Sequence, residues 1–135
     1  MRINNNCLRD LMKYVETLDY DEKISIEDLQ DEIKNYSIND VMNCCYKLRQ
    51  DKYIRIFDEH KLESFELFRN NEIIELTIKG VMLLDPVRDD NMWAQTNEKY
   101  NKDNDLSIFT LSSLAYKDLK NKWNKLIIRS IYYGT

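Results

Sequence analysis

Apolar residues near the start of the chain recur as Leu8, Leu11, Met12, Val15 and Leu18, three and four positions apart. That period lays one stripe along a helix, and Asn4, Asn5 and Asn6 supply capping residues at its start. Two more helices open on matching caps: Ser25 is followed three residues on by Asp28, and Ser37 by Asp40. A hydroxyl there accepts from the orphan amides of the first turn, and the carboxylate suits the positive end of the helix. Ile26, Leu29 and Ile33 then predict a helix over about 26–34, and Ile38, Val41, Cys45 and Leu48 a third reaching about Gln50.

At Tyr53 the period drops to two. Ile54 and Ile56 alternate with Tyr53, Arg55 and Phe57, Phe65 and Leu67 alternate with Ser64, Glu66 and Phe68, and Ile74, Leu76 and Ile78 form a last alternating set. Asn70-Asn71 tolerates the positive φ of a tight hairpin turn. Residues 53–78 therefore read as a small β-meander or a long two-stranded wing. Thr77 can cap a helix starting at Ile78, but Pro86 cannot sit deep inside it. Asp85-Pro86 reads as a cap with Pro at the first helical position, and the helix resumes through Trp93 to about Lys99. Asn101-Lys102-Asp103-Asn104-Asp105 is polar and turn-prone. Leu111, Leu114, Ala115, Leu119, Trp123 and Leu126 then line one face of a final helix, with Lys117, Lys120, Asn121, Asn124 and Lys125 on the other.

Three helices, a β-hairpin and further helices is the element order of a winged helix-turn-helix. The expected fold is thus α+β: a winged helix-turn-helix with a β-hairpin or three-stranded wing and a C-terminal helical extension. The expected division is a winged-helix domain at 1–100, a linker at 101–105 and a basic amphipathic helix at 106–135. Only 2 Gly and 1 Pro occur in 135 residues, which supports helix and excludes a sandwich or a Gly-rich phosphate loop.

In this fold the outer face of the third helix enters the major groove. Here it presents Asn39, Asn43, Lys47 and Gln50, side chains able to read bases or hold phosphates. Arg55, Lys61 and Arg69 add positive charge to the wing, and Lys117, Lys120 and Lys125 to the last helix. Any polar surface helix would show a similar face, however, and charge argues the other way. Residues 1–105 carry 15 Lys/Arg against 23 Asp/Glu, whereas residues 106–135 carry 5 against 1. Net charges of −8 and +4 fit a basic protein partner, or mimicry of nucleic-acid charge, as well as they fit a duplex.

Catalysis has little support. Arg88, Asp89, Asp90 and Trp93 form a polar cluster, but neighbouring helical carboxylates diverge by about 100° and share no proton or ion. The expected roles are structural: Trp93 closes the core, Arg88 pairs with a carboxylate, and Asp89 and Asp90 sit in a first turn. Cys7, Cys44 and Cys45 have no disulfide spacing and read as core filling in a reducing compartment. With His60 the single histidine, neither a metal site nor a cofactor is expected. Met1 to Asn6 lacks an apolar leader core and Val81-Met82-Leu83-Leu84 is far too short to span a bilayer, so a cytoplasmic location and no membrane partner are expected.

The run Leu76-Thr77-Ile78-Lys79-Gly80-Val81-Met82-Leu83-Leu84-Asp85, with Arg88-Asp89-Asp90-Asn91-Met92-Trp93, resembles the signature of an uncharacterised family of small winged-helix-like proteins. That family is frequent in prophages and plasmids of Gram-positive bacteria. The similarity extends from Arg9-Asp10-Leu11 to about Trp123 and takes in Tyr36-Ser37 and Leu48 through Tyr53-Ile54. The chain departs from it with Lys52 at a usual glycine, Val81 at a common histidine, and the inserted Pro86. The resemblance implies a fold and a mobile-element origin, and no activity.

The resulting expectation is a non-enzymatic DNA-binding transcriptional regulator whose partner is double-stranded DNA. The alternative is an acidic protein-interaction module, such as a phage-encoded inhibitor of a host CRISPR-type defence nuclease. The basic last helix, with Tyr132-Tyr133 at its end, admits packing across the acidic body with Trp123 as a buried anchor, exchange into a homodimer, or contact with nucleic acid.

Overall fold

A computed structural model of the chain describes residues 3–57 and 71–133, with side chains described through Ile131. The described residues form a mixed α+β protein of six α-helices and one three-stranded antiparallel sheet. They divide into two compact units, Met1–Leu84 and Asp85–Thr135.

In the first unit α1 spans Asn5–Glu16, with the Asn4 side chain accepting from the Cys7 amide at 3.1 Å. A two-residue strand β1, Ile24–Ser25, leads into α2, Ile26–Ile33, and then α3, Ile38–Gln50. Ser25 and Ser37 cap these helices through Asp28 and Asp40, each accepting from the backbone amide at 3.1 Å. Strands β2, Ile54–Ile56, and β3, Glu72–Leu76, precede α4, Ile78–Leu84. β3 is the central strand, paired with β1 through Ile24 and Ile73 and with β2 through Ile54 and Leu76. The core is the meeting of the apolar stripes: Leu8, Leu11, Ile26, Leu29, Val41, Cys44, Cys45, Leu48 and Ile73 are wholly buried.

One expectation changes here. The alternating set Ile74, Leu76 and Ile78 does not supply the core: Ile73 does, while Ile74 and Leu76 are half-buried and Ile78 is exposed on α4. A register irregularity between Arg55 and Ile56 sets Ile73 opposite both Ile24 and Ile56, while Thr77 ends the strand by capping α4 through the Gly80 amide at 3.1 Å. β1 had no counterpart among the expected elements. The alternation at 64–68, and Asn70 of the expected turn, lie outside the described residues.

α3 ends in a Schellman motif. The Lys52 amide donates to the Arg49 carbonyl at 3.1 Å and the Tyr53 amide to that of Leu48 at 2.8 Å, with Lys52 left-handed at φ 63°. The chain then turns directly into β2.

In the second unit a 3-10 turn, Asp85–Val87, is followed by α5, Asp90–Tyr100, and by α6, Ile108–Tyr133. The break near Pro86 is where the proline requires it, but Pro86 is buried in the 3-10 turn and Asp89, not Asp85, caps the next helix, accepting from the Met92 amide at 3.0 Å. Asn101 holds the α5–α6 connection: it is buried, and its Oδ1 accepts from the Leu106 amide at 2.9 Å. Val87, Trp93, Ile108, Leu111 and Ala115 form this unit's core. The Tyr100 hydroxyl and the Lys99 ammonium both donate to Asp118 of α6, at 2.9 and 3.1 Å.

Candidate nucleic-acid interface

Burial of Val41, Cys44, Cys45 and Leu48 turns the other face of α3 outward. That face carries Asn39, Tyr46 and Gln50 exposed, and Asn43 and Lys47 half-buried. Four of the five were expected from the sequence. Tyr46 was not, although its place three residues after Asn43 and seven after Asn39 puts it in the same row. Its ring offers a stacking surface and its hydroxyl a hydrogen bond, both useful against a sugar–phosphate backbone.

At the C-terminal end of α3 this face meets the sheet. Arg49, Gln50, Lys52, Ile54, Arg55 and Thr77 line a cavity of about 350 Å³. Gln50 and Arg55 were expected at a site; Arg49 and Lys52 were not. Arg49 flanks the apolar stripe, and Lys52 is placed by the Schellman turn, which the sequence alone does not announce.

Neighbouring carboxylates temper the positive charge. Lys47 Nζ lies 2.9 Å from Asp51 Oδ2, and Arg55 Nη1 lies 2.5 Å from Glu75 Oε1 across the β2–β3 pair. Lys79 Nζ donates to the Asp51 carbonyl at 2.9 Å and stands 4.5 Å from the centre of the Tyr53 ring. Burial, aided by the Asp51 carboxylate, raises the pKa of the Tyr53 hydroxyl, while Lys47 opposes the shift.

Lys61 and Arg69 lie outside the described residues. Lys117, Lys120 and Lys125 belong to the second unit and are exposed on α6. There Lys125 lines a groove of about 400 Å³ between α5 and α6, with Met92, Gln95, Thr96, Lys99 and Leu119 among its neighbours. Trp123 is exposed rather than a buried anchor, because α6 outruns α5: Met92, in the first turn of α5, already shares that groove with Lys125.

The polar cluster after Pro86 is taken up by structure. Arg88 Nη1 lies 2.5 Å from Asp85 Oδ1, Asp89 caps α5, and Trp93 is buried. All three thiols are free and buried. A hydrogen bond with Cys7, then burial, holds the Cys44 thiol protonated, and burial does the same for Cys45. Neither has the thiolate character that nucleophilic or redox chemistry needs.

An uncharacterised family, described as "Hypothetical protein (DUF2513)", matches residues 2–106. The chain belongs to this family. The match ends at Leu106, short of the Trp123 to which the sequence resemblance extended, so all of α6 lies beyond it. No curated protein and no solved structure matches the chain.

Proposed function

We propose that this protein is a winged-helix, DNA-binding transcriptional regulator of mobile-element origin, with α3 as the helix that enters the major groove. The observation that carries the reading is continuity: the row Asn39, Asn43, Tyr46 and Gln50 runs directly into a cavity lined by Arg49, Lys52 and Arg55. Amides suited to base edges and cations suited to phosphates thus adjoin on one surface. The order of three helices followed by antiparallel strands supports the same reading.

Fluorescence anisotropy against a random duplex and against the DNA upstream of the protein's own coding sequence tests it, at low and physiological salt. Binding should weaken steeply with salt, and Arg49→Glu or Lys47→Glu should lower affinity at least about tenfold on every sequence. Absence of binding even at low salt overturns the reading. The ion pairing of Lys47 and Arg55 by Asp51 and Glu75 would then favour the acidic protein-binding module, for which capture of a basic nuclease is the corresponding assay.

A further inference from the structure

Residues 121–131 of α6 are exposed at every position. Tyr116, Trp123, Leu126, Ile127 and Ile131 retain between 50% and 71% of their surface. At about 100° per residue these five and Leu119 fall within an arc of about 140°. Lys117, Asp118, Asn121, Lys122, Lys125 and Arg129 occupy the opposite side, where Ile128 is the one exposed apolar residue. Such a stripe is what a helix buries. A segment of this length holds its shape through packing of an apolar face rather than through intrinsic propensity.

We propose that the stripe is covered by the same stripe of a second copy, making the protein a homodimer through α6. Three observations select that occupant. Tyr116, Lys120, Trp123, Ile127 and Ser130 follow one another at intervals of four, three, four and three, the seam of a two-stranded coil, flanked by Leu119, Leu126 and Ile131. Lys120 is the single cation on that seam and Ser130 its other polar residue, and polar residues at such positions set register and strand number at a cost in stability. The remaining cations lie away from the seam, so two copies meet without opposing their charges.

The area agrees with a pair. Each of the five exposed side chains offers about 100 Å², which gives about 1,000 Å² buried between two copies, the lower bound for a specific interface. An interface of that size is at the small end of specific ones, so a reversible dimer is expected.

Sedimentation equilibrium of the full chain, without nucleic acid, tests this from low to high micromolar concentration. The wild-type mass should rise from 16.3 kDa toward twice that value. Trp123→Glu and Ile127→Glu alter exposed positions outside the buried core, so each should remain monomeric while unfolding like dilute wild-type protein. Lys120→Leu should tighten association at least about tenfold. A chain that stays monomeric throughout overturns the proposal. So does a dimer that persists in both glutamate variants, or a monomer whose α6 binds anionic phospholipid vesicles instead. None of these outcomes depends on DNA binding, so the two proposals stand or fall separately.

Discussion

Lys52 meets two opposed demands. Its φ of 63° lies where an L residue is about 1–2 kcal/mol above the right-handed helix and glycine is at ease. The family resemblance expects glycine here, and the Schellman turn at the end of α3 gives the reason. Against that stands the ammonium, which lines the cavity with Arg49 and Arg55. The backbone demand and the charge can be separated by replacing the side chain. Lys52→Gly should therefore raise stability by about 0.5–1 kcal/mol, read as a higher Tm, and lower duplex affinity in the same protein. Equal affinity in the two proteins would remove Lys52 from the interface. Gly80 presents the opposite case. A Cβ there would lie 2.1 Å from the Tyr53 carbonyl oxygen, and both partners are backbone. That carbonyl also accepts from the Thr77 amide at 3.0 Å, so it is not free to turn away. Gly80→Ala should cost about 2–3 kcal/mol in urea unfolding by forcing α4 from the strand end.

At the scale of elements, what was legible was what rests on local chemistry. The caps at Asn4, Ser25 and Ser37 fix the starts of α1, α2 and α3, because each accepts from a backbone amide three residues on. The outer row of α3 follows from its buried stripe by geometry alone. β1 was not legible: two residues cannot show alternation, and the strand exists because Ile24 and Ser25 pair with β3. The inward set of β3 was not legible because the strand carries an extra residue: Arg55 faces Glu75 and Ile56 faces Ile73, so Ile74 is skipped and the alternation breaks there. Of the cavity cations Arg55 was expected, whereas Lys52 was missed because a turn places it and Arg49 because it flanks the buried stripe. Between α5 and α6, burial raises the pKa of the Asp118 carboxyl, but hydrogen bonds from Tyr100 and Lys99 outweigh it and hold the group below its ordinary value. A depressed carboxylate contributes stability above its unfolded value near 3.8, and that contribution is lost as pH falls through the lowered folded value. The side chain is one-third exposed, so the effect is discounted to about 0.5 kcal/mol. Asp118→Asn should lower stability by that amount at pH 7, and the difference should vanish in acid well below pH 3.8.

For the whole molecule, the charge map sets how the two proposals combine. A surplus of −8 over residues 1–105 repels a duplex, so affinity must come from the few cations placed against phosphates. One copy offers Arg49, Lys52 and Arg55 at the α3 cavity. Three phosphate contacts correspond to a slope of log affinity against log salt of about −3, and two copies on one duplex to about −5. A weak single-copy footprint thus becomes useful only when doubled, and a dimer would tether two α3 helices to each other, raising their effective concentration on one duplex. The slope should therefore steepen in the concentration range where the protein dimerises. Trp123→Glu, which leaves the α3 surface intact, should return it to about −3 while retaining low-salt binding. A Trp123→Glu slope equal to that of the wild type would mean that the α6 pair plays no part in DNA binding.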